Sequence, residues 1–179
     1  RLTVRDTYVC INVSARHFRT NDLDEAVLTL LRARGIAPHR LRLEVTEGAL
    51  LDNPDQISRT LARLKDAGVL AQLDDFGTGY SSLSYLHRFP IHSLKIDRSF
   101  VADLHPGAKG GSAPVVRAIL ALAHSLGLEV IAEGIETTEQ RDALVELGCT
   151  YGQGFLYSHP RPSGELIDAI EHPGSHAQR

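Results

Sequence analysis

Residues 69–83 read Val-Leu-Ala-Gln-Leu-Asp-Asp-Phe-Gly-Thr-Gly-Tyr-Ser-Ser-Leu, an apolar run that ends abruptly in two adjacent carboxylates, Asp74 and Asp75. Neighbouring side chains on a strand point to opposite faces, so these carboxylates share a face only if the backbone turns between them. Gly77 and Gly79 permit such a turn, because glycine adopts positive φ angles at little steric cost. Two carboxylates at the end of a strand suit one or two hard divalent cations bound through oxygen. The alternative is an ordinary Asp-rich turn that binds no ion.

Strands and helices alternate along the whole sequence. Apolar segments typical of strands occupy residues 8–13, 41–45, 69–75, 93–97, 128–133 and 150–155. Helical periodicity and stop signals predict helices over residues 23–34, 54–67, 82–86, 113–126, 137–147 and 163–171. This alternation predicts an α/β fold with a parallel sheet covered by helices, either a doubly wound sheet or a (β/α)8 barrel.

A polar side chain stands at the end of every predicted strand. In chain order these residues are Asn12, Glu44, Asp74 with Asp75, Lys95 with Asp97, Glu133 and Gln153. Any one of them has a simpler interpretation as a turn cap or an ion-pair partner. In a parallel barrel, however, all six carboxyl ends lie on one face, where barrel enzymes place their active sites. Because buried carboxylates are costly unless cations compensate them, the set predicts one acidic pocket.

The ligand types in this pocket indicate its chemistry. Asparagine, glutamate and aspartate oxygens without cysteine or histidine suit Mg²⁺ or Mn²⁺. The two cysteines, Cys10 and Cys149, lack ligand spacing, so a zinc site is not expected. Paired divalent metals activate water and neutralise charge on phosphate oxygens. A lysine at the same place could position the water and a glutamate could take its proton. The residues alone therefore predict metal-assisted hydrolysis of an anionic substrate, without naming it.

Composition excludes several classes of partner. The chain has 179 residues, which is about one domain, and a formal net charge of −3, which argues against binding to DNA or RNA backbones. No apolar run approaches the length of about 20 residues needed to span a membrane, so no membrane contact is expected. The two cysteines favour a reducing compartment, and we expect a cytoplasmic protein. The glycine-containing segment 105–112 has neither P-loop nor dinucleotide-binding spacing.

Six short motifs, in order, resemble the EAL-domain family of bacterial phosphodiesterases, which open cyclic di-GMP to the linear dinucleotide pGpG. The similarity runs from about residue 9 to 162. It rests on Asn12-Val13-Ser14, Glu44-Val45-Thr46-Glu47, the stretch from Asp74 to Leu83, Lys95-Ile96-Asp97, Glu133-Gly134-Ile135-Glu136 and Gln153-Gly154. The resemblance implies a (β/α)8 TIM-type barrel with Mg²⁺ or Mn²⁺ at the strand-end face.

The resemblance also implies roles for individual residues. Asn12, Glu44 and Asp74 would hold a first metal, and Asp74 with Asp75 a second. Glu133 would be a general base or a metal-linked carboxylate, and Lys95 would orient the attacking water. Asp97, Glu136 and Gln153 would complete the site. Glu47 would fix a loop tied to substrate binding and homodimer formation, which consists of Phe76, Gly77, Thr78, Gly79, Tyr80, Ser81 and Ser82.

One family motif is missing from this chain. The family takes its name from a Glu-Ala-Leu strand whose glutamate is a metal ligand, whereas the only Glu-Ala here, Glu25-Ala26, lies in a predicted surface helix. We therefore expect residues 1–171 to be a partial domain of about six βα units, followed by a disordered polar tail at 172–179. We also expect an upstream sensory or GGDEF-type domain in a longer bacterial parent protein.

The missing motif leaves two functions open. The first is a cyclic di-GMP phosphodiesterase that is poorly active as this fragment. The second is an inactive module that binds cyclic di-GMP or a partner protein as a sensor. A different phosphate-handling barrel is a third alternative.

Overall fold

The computed structural model of the chain describes residues 7–20, 22–77, 86–108 and 110–165. They form a single six-stranded sheet. The strands are β1 (Val9–Asn12), β2 (Leu41–Thr46), β3 (Leu70–Phe76), β4 (Ser93–Ile96), β5 (Glu129–Ala132) and β6 (Tyr151–Gly152). The helices are α1 (Ala15–Phe18), α2 (Leu23–Ala33), α3 (Glu47–Asp52), α4 (Pro54–Asp66), α5 (Arg98–Val101), α6 (Ala113–Ser125) and α7 (Thr138–Glu146).

The topology decides between the two predicted architectures. Every neighbouring pair of strands is parallel, and the order across the sheet is β1 to β6, the same as along the chain. A doubly wound sheet reverses its strand order at a switch point, and this sheet never does. It is a curled, incomplete (β/α)8 barrel, as predicted.

The apolar core lies between the sheet and the helices. Alternate strand residues such as Leu43, Leu73 and Leu94 are almost completely buried. They belong to one cluster with helix residues such as Leu61 of α4 and Val116 of α6. Because side chains alternate along a strand, placing the apolar residues against the helices leaves the other face of each strand to its polar residues.

The inner face of the sheet is therefore polar. The Cys10 thiol donates to Gln72 Oε1 at 3.1 Å, and Gln72 Nε2 donates to Ser93 Oγ at 2.7 Å. Gln72 and Ser93 are fully buried, and each stands two residues before a predicted site residue, Asp74 or Lys95. Residues two apart share a face of a strand, so this hydrogen-bonded group continues directly into the site.

The long helices agree with the predictions, and each ends one residue earlier because the predicted range included the capping residue. The sequence did not predict three short helices, α1, α3 and α5, which begin just after strands β1, β2 and β4. They lack the two or more turns that make periodicity visible.

Two strand predictions are wrong in detail. The segment 8–13 was expected to be buried, yet all four residues of β1 are exposed, because β1 is an edge strand of the sheet. The last strand was predicted over 150–155, but β6 has two residues. Beyond it the chain turns to pair with Ile135, which donates to the Gln153 carbonyl and accepts from the Leu156 amide.

Several predictions fall outside the described residues. These are the short helix at 82–86 except its last residue, most of the final helix at 163–171, and the polar tail at 172–179. Within the described ranges, no helix combines the length and the apolar character needed to cross a membrane.

Candidate active site

A β-bulge brings the two adjacent aspartates to the same region. The pairing of β3 with β4 shifts register between Leu73 and Phe76, so the extra length falls at Asp74 and Asp75. Asp75 has a φ of 54°, in the left-handed region that aspartate tolerates better than most residues. Its amide donates to Asp74 Oδ1 at 3.1 Å. The backbone turn was predicted at the glycines, but it occurs at Asp75 itself.

Lys95 lies at the centre of the strand-end carboxylates. Its ammonium is 2.6 Å from Glu133 Oε1, 2.9 Å from Glu44 Oε1 and 3.1 Å from Asp74 Oδ1. The Lys95 side chain is only 4% exposed. The buried ammonium of Lys95, on β4, therefore contacts carboxylates from β2, β3 and the end of β5. The sequence analysis had predicted that the polar residues at these strand ends come together.

The charges in the site shift its acid–base properties. Burial alone would lower the pKa of Lys95, but hydrogen bonds to Glu133 and Glu44 outweigh it and raise that pKa above its usual value. Burial raises the pKa of Glu133, and the neighbouring Lys95 only partly offsets this. Burial and then repulsion by Asp74 raise the pKa of Asp75. Lys95 therefore stays charged here, and Glu133 and Asp75 hold protons more readily than usual.

The carboxylates fit a divalent cation. Asp74, Asp75 and Glu133 each offer an oxygen, and these oxygens all lie within 4.8 Å of one another. An all-oxygen donor set of this kind suits Mg²⁺, Mn²⁺ or Ca²⁺. Among the described residues, Glu44 adds a fourth carboxylate to this group around the single ammonium of Lys95. A bound cation would relieve their mutual repulsion.

Asn12 and Gln153 occupy the two edges of the site. Asn12 is exposed and lies opposite Glu44 in the β1–β2 register. Gln153 Nε2 donates at 2.6 Å to Glu133 Oε1, the same oxygen that contacts Lys95. Glu133 is therefore held from both sides, which fixes the orientation of its carboxylate.

Asp97 and Glu47 have structural surroundings that the sequence did not reveal. Asp97 caps α5, because its Oδ1 accepts from the Ser99 amide at 3.0 Å and the Ser99 hydroxyl at 2.5 Å. Glu47 begins α3 directly after β2. Both of its carboxylate oxygens are buried, and neither has a hydrogen-bond partner within the described parts of the chain.

A cavity of about 730 Å³ opens beside the carboxylates. Asp75, Asp97, Glu133, Glu136 and Gln153, all predicted site residues, line one part of it. The sequence analysis missed the other part, which includes Arg98, Phe155, Ser158, His159 and Arg161. Arg98 begins the short helix α5 and the other four residues lie in loops, so none of them belongs to a segment long enough to show periodicity. The only sequence signal near them was the glycine-rich Gln153-Gly154-Phe155.

The loop after Asp75 is described only at its start. Phe76 is buried in the core. Gly77 has a φ of 96°, and a side chain there would press against the ring of Phe100. Thr78, Gly79, Tyr80, Ser81 and Ser82 lie outside the described residues.

Comparison with known proteins assigns this combination of sequence and fold to one family. The family model described as EAL domain matches residues 3–160. The signalling protein YkoW of Bacillus subtilis is 45% identical over 165 residues, which make up 92% of this chain and 20% of YkoW. The bifunctional diguanylate cyclase/cyclic di-GMP phosphodiesterase MucR of Pseudomonas aeruginosa is 40% identical over 92% of this chain and 24% of MucR. The chain thus spans less than a quarter of either relative.

Solved structures agree with the sequence comparison. The MucR phosphodiesterase in complex with cyclic di-GMP superposes with a TM-score of 0.82 at 41% identity, over 89% of this chain and 70% of that one. BlrP1 of Klebsiella pneumoniae, with manganese and cyclic di-GMP, gives a TM-score of 0.77 at 34% identity, over 86% of this chain and 39% of BlrP1. The family match spans most of the residues, and the fold and strand-end motifs agree with it, so this chain belongs to the EAL domain family.

Proposed function

We propose that this chain is the phosphodiesterase part of a longer bacterial signalling protein, and that it hydrolyses cyclic di-GMP to linear pGpG. The observation that carries the proposal is the convergence of Glu44, Asp74 and Glu133 on Lys95, with Asp75 beside them. An ordinary ion pair on the surface involves two side chains. Here charged side chains from four strands meet around one buried ammonium group. The MucR and BlrP1 complexes support cyclic di-GMP as the substrate.

The proposed metal ligands follow the strand ends. Asn12, Glu44 and Asp74 would hold one Mg²⁺ or Mn²⁺, and Asp74 with Asp75 a second, with Asp74 shared between them. Two such cations would activate water and neutralise the charge that develops on the phosphate. The all-oxygen donor set and the close approach of the carboxylates in this chain support this assignment.

Lys95 and Glu133 would act on the attacking water. Lys95 is held protonated by its carboxylate neighbours, so it can donate a hydrogen bond and orient the water. Glu133 has a raised pKa, which makes it a better proton acceptor than an ordinary glutamate. Water would add to one phosphorus atom and one phosphate ester bond would break. Glu133 would take one proton from the attacking water, and this proton would then pass through solvent to the released ribose oxygen, so that the water is consumed as hydroxide on phosphorus and a proton on the ribose.

The remaining roles concern assembly. Glu47, whose buried oxygens have no hydrogen-bond partner among the described residues, would fix the loop that follows Asp75, and that loop would contribute to substrate binding and to a homodimer. Further sensory or GGDEF-type domains in the parent protein are supported by the bifunctional relative MucR. The setting would be the bacterial cytoplasm, where the free thiols of Cys10 and Cys149 stay reduced.

The proposal is tested by incubating the chain with cyclic di-GMP and Mn²⁺ and separating the products by chromatography. We expect slow formation of pGpG that Asp74→Asn abolishes. The rate should be low because, among the described residues, the Glu-Ala-Leu ligand of the family has no counterpart at the site, since Glu25 is exposed on α2. Tight binding without product would favour the sensor alternative. Product formation that survives Asp74→Asn would contradict the assignment of the site.

A further inference from the structure

Gln72 connects three strands through its side chain on the inner face of the sheet. It lies on β3 and is only 1% exposed. Its Oε1 accepts a hydrogen bond from the Cys10 thiol of β1 at 3.1 Å, and its Nε2 donates to Ser93 Oγ of β4 at 2.7 Å. Because β2 lies between β1 and β3, the contact with Cys10 is additional to the pairing of neighbouring strands. One buried amide thus ties both β1 and β4 to β3.

Each of the three bonded residues stands two positions before a proposed site residue on its own strand. The pairs are Cys10 and Asn12, Gln72 and Asp74, and Ser93 and Lys95. Side chains two positions apart on a strand share a face of the sheet. The bonded residues therefore form a layer inside the barrel next to the layer that contains the site.

Backbone pairing alone places two of these site residues loosely. In the described sheet β1 is an edge strand that pairs with β2, so the position of Asn12 relative to β3 depends on how the sheet curls. The ladder between β3 and β4 shifts register after Leu73, where the β-bulge begins. Gln72 and Ser93 are the last paired residues on the inner face before this shift. Their buried hydrogen bond therefore fixes the two strands at the point where the regular ladder ends.

We propose that Gln72 is a positioning residue for the metal site and sets where Asn12 and Lys95 lie relative to Asp74. The inference rests on the proposed function, because the metal-binding roles of Asn12 and Asp74 come from it. Gln72 acts through its two hydrogen bonds, with its carbonyl oxygen holding β1 and its nitrogen holding β4. Groups that orient metal ligands in this way affect metal affinity by about 10–100-fold.

The first test measures Mn²⁺ binding to the chain without nucleotide, by electron paramagnetic resonance of the free ion. Gln72→Met keeps the length of the side chain but loses both hydrogen bonds, so it should raise the Kd for Mn²⁺ by about tenfold or more. Ile57→Val is the matched control, because Ile57 is fully buried on α4, in the apolar core on the other face of the sheet. It should bind Mn²⁺ as the parent chain does.

Substitutions at Cys10 separate the hydrogen bond from general effects on folding, since Cys10 is exposed on the edge strand. Cys10→Ser keeps a donor and should retain the parent affinity for Mn²⁺, whereas Cys10→Ala removes the donor and should weaken binding. A parent-like Kd in Gln72→Met would overturn the proposal. An equal loss of affinity in Ile57→Val, or in Cys10→Ser and Cys10→Ala alike, would also overturn it.

A second test needs neither metal nor substrate. The side-chain amide signals of Asn12 and the ammonium signal of Lys95 are followed by NMR in the metal-free chain. We expect Gln72→Met, which lies on neither of their strands, to shift both sets of signals, and Ile57→Val to shift neither. If the parent chain binds no Mn²⁺ and cleaves no cyclic di-GMP but these shifts occur, the proposed function is wrong and the positioning role stands. Unmoved signals in Gln72→Met would overturn the positioning role, even in an active chain.

Discussion

At the residue scale, Lys95 stabilises the folded chain in addition to its proposed role in catalysis. Its ammonium is the partner of three carboxylates in a place that water scarcely reaches. Removing one partner of a buried ion group leaves the others uncompensated, which costs far more than losing a surface pair.

We therefore expect Lys95→Met to lower the free energy of unfolding by about 3–5 kcal/mol in the absence of divalent cations. Urea denaturation followed by circular dichroism measures this change. Lys65→Met is the control, because Lys65 is exposed on α4 and its loss should matter by less than about 0.5 kcal/mol. Equal effects of the two substitutions would show that the carboxylates do not depend on Lys95.

Asp97 provides a prediction with a pH dependence. Burial would raise the pKa of Asp97, but hydrogen bonds from Ser99 and the nearby Arg98 lower it below its usual value of 3.8. A carboxyl group with a depressed pKa in the folded state adds stability above its unfolded pKa. That stability is lost as the pH falls through the folded pKa.

We expect Asp97→Ala to cost about 1 kcal/mol of stability at pH 7, because α5 loses its N-terminal cap. The difference from the parent chain should shrink as the pH is lowered below about 4. Urea denaturation at several pH values tests this expectation. Asp97→Asn keeps an acceptor oxygen and should retain most of the stability at pH 7. A deficit in Asp97→Ala that stays constant down to pH 2 would contradict the capping role.

At the scale of elements, the sequence predicted which strands deliver the site but not how each one ends. The carboxylates at residues 74 and 75 stand out in an apolar run, and their convergence followed from parallel strands. The β-bulge that turns Asp74 and Asp75 toward the site depends on the pairing of β3 with β4. No local sequence pattern predicts this pairing. The short extent of β6 likewise arises from contacts with a residue elsewhere in the fold, Ile135, whereas the cap made by Asp97 is a local contact with Ser99.

Gly154 tests whether the turn after β6 positions the site. A Cβ atom at Gly154 would overlap the Ile135 backbone, so Gly154→Ala should destabilise the chain by about 1–3 kcal/mol. It should also displace Gln153 from Glu133 and weaken the binding of cyclic di-GMP. Thermal unfolding and calorimetry measure the two effects.

The matched control is Gly48→Ala. Gly48 lies on α3 with nothing within 4 Å of an added Cβ, so this substitution should leave stability unchanged or slightly raised. A Gly154→Ala chain as stable as the parent would mean that the turn is not tightly packed against Ile135.

At the scale of the whole molecule, an incomplete barrel of six strands was expected and leaves an open edge, but the local sequence did not predict that β1 would be exposed there. The segment 8–13 has the composition of a buried strand, and burial was expected for that reason. The residues of β1 are exposed because β1 ends the sheet, with Val9 at 64% and Ile11 at 49% exposure, whereas Val13 beyond it is buried. An apolar composition shows that a strand could be buried. Its actual exposure depends on how many strands and helices pack against it.

An exposed apolar edge strand favours association with other chains. We expect this chain to self-associate at micromolar concentration and Ile11→Lys to reduce the association, as measured by sedimentation velocity. Val145→Lys is the control, because Val145 is 65% exposed on α7, away from a strand edge. Unchanged self-association in Ile11→Lys would mean that β1 is not the contact.

The strand-end carboxylates are proposed to hold divalent cations that bind cyclic di-GMP. Calorimetric titration of the chain with cyclic di-GMP, with and without Ca²⁺, tests this claim most directly, since Ca²⁺ favours oxygen ligands. We expect binding in Ca²⁺ that disappears without the cation and in Asp74→Asn. Binding that needs neither Ca²⁺ nor Asp74, or no binding by a folded chain, would contradict the claim.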